Sequence, residues 1–417
     1  MNEEVKGKIE DCHTDSELLT QFHKNKPQLR FSGFKKIENE KLKYENWFSA
    51  PASEIFISVN DRNHPELPVL SASQELGMIY RDEGGMNIFH DVANEITYKR
   101  VRPGQFVIHL RSFQGGFAHS KVEGITSPAY TILDFKDKNK HNDLFWKYVL
   151  TSEEFIKRLE LITYGIRDGR SINFSDFSTL KFHFPSYEVQ LKIGTFLSHV
   201  DSLIQAKTKK LESLKAVKKS LLQKCFPKTD EKVPEMRFAG FSGDWEEKKL
   251  GEIADFLDNQ RIPIENSERK TGNYPYYGAS GIIDYVDDYI FDGNYVLLGE
   301  DGANIVNRSS RLAFVVSGKC WINNHAHVLK PKANTDLYFL SECLENQNYE
   351  IYNSGTAQPK LNQEVCFNIK LQIPISKPEQ QKIGQFFSKY DSLISLQQKE
   401  IDNLKIIKKS LLQKMFV

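Results

Sequence analysis

The chain has 417 residues, of which 56 are Lys or Arg and 55 are Asp or Glu, so its formal net charge is +1. This length predicts two domains with connecting segments, each large enough to bury a core of its own. The balanced charge excludes nucleic-acid binding driven by overall charge, so any such binding must depend on local groups.

The first 26 residues form a polar, acidic N-terminal extension without the apolar run of a signal peptide, and no run of 18 apolar residues follows. These features predict a cytoplasmic protein with no membrane segment. The cysteines are scattered and form no C-x-x-C pair: Cys12, Cys225, Cys320, Cys343 and Cys366. We therefore expect reduced packing residues rather than a disulfide framework or a zinc site.

Residues 27–185 are predicted to form the first of two α/β domains. Short β-rich runs, such as GQFVIHL at 104–110 and AYTIL at 129–133, accompany a helical patch from Asp143 to Glu160. Basic and amide side chains suit phosphate contacts and base-edge hydrogen bonds, although such residues in turns are often only solvated. The candidates in this domain are Lys99, Arg100, Arg102, Arg111, Gln114, Arg167 and Arg170.

Residues 186–227 are predicted to form one long amphipathic helix. Apolar residues recur there at spacings of three and four, which keeps them on one stripe of a helix. They are Ile193, Leu197, Val200, Ile204, Leu211, Leu214, Leu221 and Cys225.

Residues 228–374 are predicted to form the second α/β domain, with β-rich runs such as NYVLLG at 294–299 and RLAFVV at 311–316. Tyrosines beside Gly278 suit stacking on bases, or else they attach a loop to the core. The candidate DNA contacts here are Tyr276, Tyr277, Ser280, Asn304, Arg308, Asn323, Asn324, His325, Gln358 and Lys360. The H-x-H pair His325 and His327 is more typical of a strand with alternating faces than of a metal site, and we expect no metal.

Residues 375–417 repeat the first long helix. At an offset of 190 residues, 190–227 aligns on 380–417 without a gap, and 21 of 38 positions are identical. A shorter repeat, PQLRFSGF at 27–34 and PEMRFAGF at 234–241, has an offset of 207, so the first domain holds 17 more residues between its repeated ends. The duplication therefore predicts a common frame that carries two different domains.

Helices of this length need a partner for their apolar stripe, and two matched copies favour a coiled coil with each other. Packing of each helix on its own domain is the alternative. We predict an antiparallel pair, which places a pseudo-twofold axis across the helices and separates the two domains. This α+β architecture is typical of a protein that reads a two-part target, and duplex DNA is a common target of that kind.

Several stretches resemble the specificity subunit of type I restriction-modification systems. They are YPYYGASGIIDYVDDYIFDGNYVLLGEDGANI (274–305), SGTAQPKLNQEVCFNIKLQIPIS (354–376), EQQKIGQFFSKYDSLI (379–394) and the duplicated SLLQK. The first half has a counterpart in YGIRDGRSINFSDFSTLKFHFP (164–185) but lacks a YYGASG segment. This departure leaves the base contacts of the first domain unassigned.

The resemblance implies that each domain is a target-recognition domain that reads half of a split DNA sequence. By the same resemblance, the helices dock two modification subunits, and restriction subunits belong to the full complex. It also implies that S-adenosylmethionine, ATP and Mg²⁺ serve the partner subunits. This chain has no Pro-Pro pair of an amino-methyltransferase motif and no G-x-x-x-x-G-K-[ST] phosphate loop, so we expect no cofactor and no catalysis here. A noncatalytic coiled-coil scaffold for protein or another polymer is the alternative function.

The antiparallel pair leads to a prediction about spacing. Inserting four residues near Lys210 adds about 6 Å to the first helix, at about 1.5 Å per residue. At about 3.4 Å per base pair, the nonspecific DNA spacer between the two recognised half-sequences (the half-sites) should grow by about one or two base pairs. The sequences of both half-sites should stay the same. The insertion also turns the apolar stripe by about 40°, so some slippage is expected. Methylome mapping tests this, and an unchanged DNA spacer with retained activity would contradict the ruler role of the helices.

Overall fold

The structure is a computed structural model that describes residues 35–38, 41–44, 47–74, 76–84, 92–162, 172–228, 230–355 and 358–416. The chain forms two compact units. Unit 1 comprises residues 1–206 together with 401–417, and unit 2 comprises residues 207–400. Each long helix begins in one unit and ends in the other.

The twelve described strands of unit 1 form small antiparallel sheets. They are β1 Lys35–Glu38, β2 Lys41–Tyr44, β3 Phe48–Pro51, β4 Phe56–Val59, β5 Leu70–Ser73, β6 Gly77–Tyr80, β7 Lys99–Val101, β8 Phe106–Ile108, β9 Ala118–His119, β10 Gly124–Thr126, β11 Thr131–Phe135 and β12 Lys181–Phe184. A four-stranded sheet has the order β4-β11-β8-β9, and the pairs β1-β2, β5-β6, β7-β10 and β3-β12 stand beside it.

The helices of unit 1 cover an aromatic core. They are α1 Ala52–Ile55, α2 Ser112–Gly115, α3 Asp143–Val149, α4 Glu153–Leu161 and α5 Phe174–Ser178. The helical patch predicted from Asp143 to Glu160 is thus two helices, because Ser152 accepts a hydrogen bond from Phe155 N and starts a new helix. In the core, the Phe56 ring lies 5.2 Å from Trp146 and 5.6 Å from Phe177.

The strands of unit 2 are dominated by one six-stranded sheet. Its order is β14-β19-β17-β18-β15-β16, with β15 and β18 parallel and the other neighbours antiparallel. The bounds are β13 Glu246–Lys249, β14 Ala254–Phe256, β15 Thr271–Gly278, β16 Gly281–Val286, β17 Phe291–Gly299, β18 Ala313–Ile322, β19 Ala326–Pro331 and β20 Lys370–Ile373.

The helices of unit 2 are α7 Leu250–Ile253, α8 Asn304–Asn307, α9 Leu337–Glu345 and α10 Gln363–Phe367, apart from the long helices. Helix α9 packs on one face of the sheet, where Val296 and Leu298 of β17 join its core. Leu297, the residue between them, belongs to a second apolar cluster with Val316 and Val328. Strand β17 is therefore buried on both faces, in agreement with its continuous apolar sequence.

The two long helices are α6, Tyr187–Cys225, and α11, Lys377–Met415. Both lie within the ranges 186–227 and 375–417 that the sequence predicted for long helices. Each has 39 residues and is about 58 Å long. Helix α6 ends before Pro227, and Pro378 occupies the first turn of α11, where a missing N–H has no intrahelical partner to lose. No helix among the described residues combines the length and the apolarity needed to cross a membrane.

Within each unit the two long helices run antiparallel, as the sequence predicted. In unit 2, Lys207 Nζ lies 2.6 Å from Glu400 and Lys218 Nζ lies 2.6 Å from Asp391. A contact that lies later in α6 therefore lies earlier in α11, as antiparallel helices require. In unit 1, Lys408 Nζ lies 2.5 Å from Asp201, while Met415 packs with Leu197 in the core.

Each domain docks on its long helix in the same way. The N-terminus of α3, capped by Asn142, packs on Gly194, and the N-terminus of α9, capped by Asp336, packs on Gly384. A Cβ on Gly194 would lie 2.6 Å from Phe145 N, and one on Gly384 would lie 2.6 Å from Phe339 N. Both sites therefore need glycine for close approach.

A glutamine completes each of these docking contacts. Gln190 accepts a hydrogen bond from Asn142 N at 3.0 Å and donates to Pro185 O at 2.9 Å. Gln380 accepts from Asp336 N at 2.9 Å and donates to Pro374 O at 3.0 Å. The repeated sequence thus produces a repeated set of contacts.

We predict that Gly384→Ala destabilises unit 2 by about 1–3 kcal/mol, because the new methyl group overlaps Phe339 N and the Asp336 carboxylate. Ser395→Ala, on an exposed position of the same helix, is the matched control and should change the free energy of unfolding little. Urea unfolding measures both, and equal stability of the two variants would contradict the close-approach role.

Candidate nucleic-acid interface

Three loops of unit 2 come together beyond the end of β17. They are the segment Glu300–Ala303, the β18–β19 turn at 323–325, and the segment that leads to Leu361. Glu300 N donates to His325 O at 2.9 Å, and Leu361 N donates to Glu300 O at 2.7 Å. The structure therefore brings together predicted site residues that are far apart in sequence: Asn323, Asn324, His325 and Lys360.

The β15–β16 turn adds Ser280 to this loop cluster. Asn323 N donates to Tyr277 O at 3.0 Å, and a Cβ on Gly299 would lie only 2.8 Å from Ala279 O. Glycine at 299 allows this close approach of two turns. The exposed candidates of the cluster are Ser280, Asn324, His325, Gln358 and Lys360.

Charged groups beneath the loops hold them in place. Arg261 Nη1 donates to Glu300 Oε2 at 2.8 Å and to Ala326 O at 2.8 Å. Lys360 Nζ lies 3.3 Å from Glu300 Oε1. The sequence offered no signal for Arg261, because its partners lie 39 and 65 residues away.

His327 and Asp258 complete this charged layer. His327 Nδ1 lies 2.5 Å from Asp258, and Nε2 lies 2.8 Å from Leu361 O. Burial alone would lower the pKa of His327, but its contacts with Asp258 and Cys366 raise the pKa to about 10. With His327 protonated, three cations (Arg261, Lys360, His327) face three carboxylates (Asp258, Glu300 and the neighbouring Asp301). The charges of this layer are therefore balanced, and the exposed Lys360 is the cation best placed to contact a phosphate or an acceptor-rich base edge.

Of the H-x-H pair, His327 lies on strand β19, whereas His325 lies in the turn before it. The His325 side chain is 52% exposed and pairs with Asp301 at 2.7 Å, whereas His327 is buried. Among the described residues, no group of three His, Cys, Asp or Glu side chains is arranged to hold a metal ion. Cys225, Cys320, Cys343 and Cys366 are buried free thiols, as expected of packing residues.

The two candidate tyrosines are placed differently from the exposed polar residues. Tyr276 is 1% exposed, and its hydroxyl accepts a hydrogen bond from Ile264 N at 3.1 Å. Tyr277 is half-buried and packs 6.1 Å from the Phe314 ring. Tyr276 therefore attaches its loop to the core, which is the alternative that the sequence left open, and Asn323 is also buried.

Asn304 and Arg308 lie on and just after α8 and make internal contacts. Asn304 Oδ1 accepts from Ser310 N at 2.9 Å. Arg308 has a positive φ of 49° and pairs with Glu345 at 2.8 Å. Both residues thus organise a tight turn.

In unit 1, the basic run at the start of β7 belongs to a strand rather than to the predicted turn. Arg100 Nη2 lies 2.6 Å from Glu123, and Arg102 Nη2 lies 2.9 Å from Asp61. Lys99 Nζ donates to Tyr130 O at 2.6 Å. These side chains are therefore already paired within the domain, and only part of their charge is available to a ligand.

A second basic group of unit 1 surrounds Tyr130 and includes the candidate Arg111. Burial raises the pKa of Tyr130, and the charges of Arg81 and Arg111 oppose this rise. Burial and then Arg111 lower the pKa of His109 to about 4, so this histidine is neutral at pH 7. Two guanidinium nitrogens of Arg81 are buried without a hydrogen-bond partner. Arg81 is a functional candidate that the sequence did not single out.

Gln114, the last described candidate of unit 1, lies on α2, where its side chain accepts from Gln74 Nε2 at 3.4 Å. Arg167 and Arg170 lie outside the described residues, so their predicted roles stay predictions.

Comparisons with known proteins point to one family. A model described as "Type I restriction modification DNA specificity domain" matches residues 49–216 and again residues 242–405. A Haemophilus influenzae protein described as a type I restriction enzyme specificity subunit is 39% identical over 136 residues, which cover 32% of this chain. The match spans only 34% of that relative's length.

Two longer matches cover most of the chain. The type I restriction enzyme MjaIX specificity subunit of Methanocaldococcus jannaschii is 22% identical over 370 residues, covering 81% of this chain and 82% of that protein. The crystal structure of the type I restriction-modification system S subunit from M. genitalium superposes with a TM-score of 0.65 at 18% identity. It covers 94% of this chain and 99% of that one, which shows a shared fold.

We predict that Lys360→Ala weakens binding of duplex DNA by the assembled complex and lowers the slope of log affinity against log salt concentration by about 1, as loss of one phosphate contact should. Lys330→Ala, an exposed lysine near the opposite end of β19, is the matched control. Affinity measured at several salt concentrations decides the matter. An unchanged slope for Lys360→Ala would place this lysine outside the interface.

Proposed function

Because the chain belongs to the type I restriction modification DNA specificity family, we propose that it is the DNA specificity subunit of such a complex. In this proposal it reads a bipartite duplex site in the cytoplasm and directs adenine methylation and ATP-dependent restriction by partner subunits. The observation that carries the proposal is that the family model matches both halves, and each half docks on a long helix through the same contacts.

The second half-site is read by the exposed loop cluster of unit 2. Asn324 and Gln358 carry amides, which can form two hydrogen bonds with the edge of an adenine. Lys360 and Ser280 can donate hydrogen bonds to phosphate oxygens or to base acceptors. The charged layer below, with Arg261 and His327, holds these loops in place. These side chains are exposed on loops that backbone hydrogen bonds join to one another, which suits direct reading of bases.

The first half-site is read by the basic group of unit 1. Arg111 and Arg81 lie by Tyr130. Arg111 is the N-cap residue of the short helix α2, which carries Gln114. Arg100 and Arg102 share the carboxylates of Glu123 and Asp61, so they contribute to orientation more than to net charge. The two domains therefore use different chemistry, in agreement with their different sequences.

Two modification subunits dock on the long helices in this proposal. Exposed apolar residues recur at repeat-equivalent positions: Leu203 and Leu393 are 41% and 51% exposed, and Val217 and Ile407 are 46% and 40% exposed. Leu203 follows Asp201 by two residues, or about 200° of helix rotation, so it faces away from the domain that Asp201 contacts. A repeated, unpaired apolar surface fits two copies of one partner.

The chain itself supplies no chemistry to the substrate in this proposal. S-adenosylmethionine, ATP and Mg²⁺ are used by partner subunits, because the donor-binding and phosphate-binding motifs are missing from the sequence.

Reconstitution tests the proposed function. We expect no methyl transfer from S-adenosylmethionine by the purified chain, and transfer to adenine within one bipartite sequence when a modification subunit from the same genome is added. The modification subunit alone is the control and should show no sequence preference. Methyl transfer by the isolated chain, or the same methylome with and without it, would overturn the proposal.

A further inference from the structure

The duplicated helices present the same pair of charges to both domains. Asp201 and Asp391 are repeat equivalents, separated by 190 residues, and so are Lys218 and Lys408. In unit 1 Lys408 pairs with Asp201 at 2.5 Å, and in unit 2 Lys218 pairs with Asp391 at 2.6 Å. We call each of these Asp–Lys pairs a helix socket.

The two domains contact this socket with opposite chemistry. Tyr148 of α3 and Glu342 of α9 are equivalent, since each follows the N-cap residue of its helix by six positions. Tyr148 donates its hydroxyl proton to Asp201 at 2.8 Å, whereas Glu342 accepts from Lys218 at 3.1 Å. One domain therefore binds the acid of the socket, and the other binds its base.

A second group in each domain completes the charge balance. In unit 1, Lys147 Nζ lies 2.8 Å from Asp201, so one carboxylate faces two ammonium groups. In unit 2, Arg311 contacts both Asp391 and Glu342, the latter at 2.7 Å, so two cations face two carboxylates. Lys218 and Glu342 are the most buried members, with side chains 8% and 3% exposed.

The unit 2 network is attached to the reading loops by one strand. Arg311 lies just before β18, and its Nε donates to Ala313 O at 3.1 Å. At the other end of β18, the turn at 323–325 carries Asn324 and His325. Ten residues of strand span about 33 Å, so a tilt of about 6° at the network would move the turn by about 3.4 Å, which is one base pair.

We infer that the helix sockets position the recognition domains for DNA reading, with Tyr148 and Lys147 as the positioning residues of the first domain and Arg311, which contacts both Asp391 and Glu342, as that of the second. This inference rests on the proposed function. Because the socket is the same while its partners differ, the same substitution in the two sockets should have unequal effects.

The inequality follows from which group loses its partner. Lys218→Met leaves the buried Glu342 carboxylate with Arg311, which it already shares with Asp391. Lys408→Met leaves Asp201 with both Lys147 and Tyr148. Removing a cation from a buried carboxylate costs much more folding free energy than removing one from a carboxylate that keeps two other hydrogen-bond donors.

The test uses the chain assembled with its modification subunit and compares Lys218→Met with Lys408→Met, its matched control. We expect Lys218→Met to lower methylation of the recognised site by at least about tenfold and to relax base preference in one half-site only. Lys408→Met should change the rate by less than about threefold. The double variant Lys218→Met with Glu342→Gln, which removes the uncompensated charge, should recover the rate to within about threefold.

Equal losses for the two lysine variants, or no recovery in the double variant, would overturn the inference. Urea unfolding of the same four proteins is measured in parallel. Loss of base preference without a shift of the unfolding midpoint supports positioning, whereas a midpoint shift that accounts for the whole activity loss contradicts it. If the unsubstituted complex methylates no site, the proposed function fails instead, and the two failures are distinguished.

Discussion

The contact between a capped helix N-terminus and a glycine of a long helix is the constraint on which each unit depends. At Gly194 and Gly384 the helix surface has no side chain, so the first turn of α3 or α9 reaches the helix backbone. The neighbouring Gln190 and Gln380 then satisfy backbone groups that this close approach would otherwise leave buried without partners. Strand pairs β3-β12 and β13-β20 tie the two ends of each domain together beside this contact.

Once this contact is formed, the rest of each domain can differ. Unit 1 fills its interior with aromatic rings around Phe56 and Trp146, whereas unit 2 builds a six-stranded sheet with aliphatic side chains on both faces. Both solutions bury one face of the docked helix, since Phe145 packs on Phe416 at 5.4 Å and Phe339 on Phe226 at 5.6 Å. A constant frame with variable domains is thus a property of a few close contacts.

The recognition surface depends on electrostatics that the overall charge of +1 conceals. In unit 2, acids and bases are interleaved beneath the loops, and Asp258 keeps His327 protonated, so that three cations balance three carboxylates. In unit 1, Arg100 and Arg102 are paired with acids, while Arg81 and Arg111 gather at Tyr130. In the proposed function, specific reading therefore relies on the placement of a few groups on these loops.

The sequence by itself determined the duplication and the two long helices, because helical periodicity is local and a repeat can be read without any tertiary contact. The symmetry of the repeat only favoured their antiparallel pairing. The sequence also placed Asn324, His325 and Lys360 among the candidates. Only the tertiary structure decided that Tyr276 is buried, that Arg261 forms hydrogen bonds beneath the loops, and that Arg100 forms an ion pair with Glu123. It also decided that Tyr148 and Glu342 bind opposite members of the helix socket. These outcomes depend on contacts between residues far apart in the chain, and residue type and spacing along one segment do not specify them.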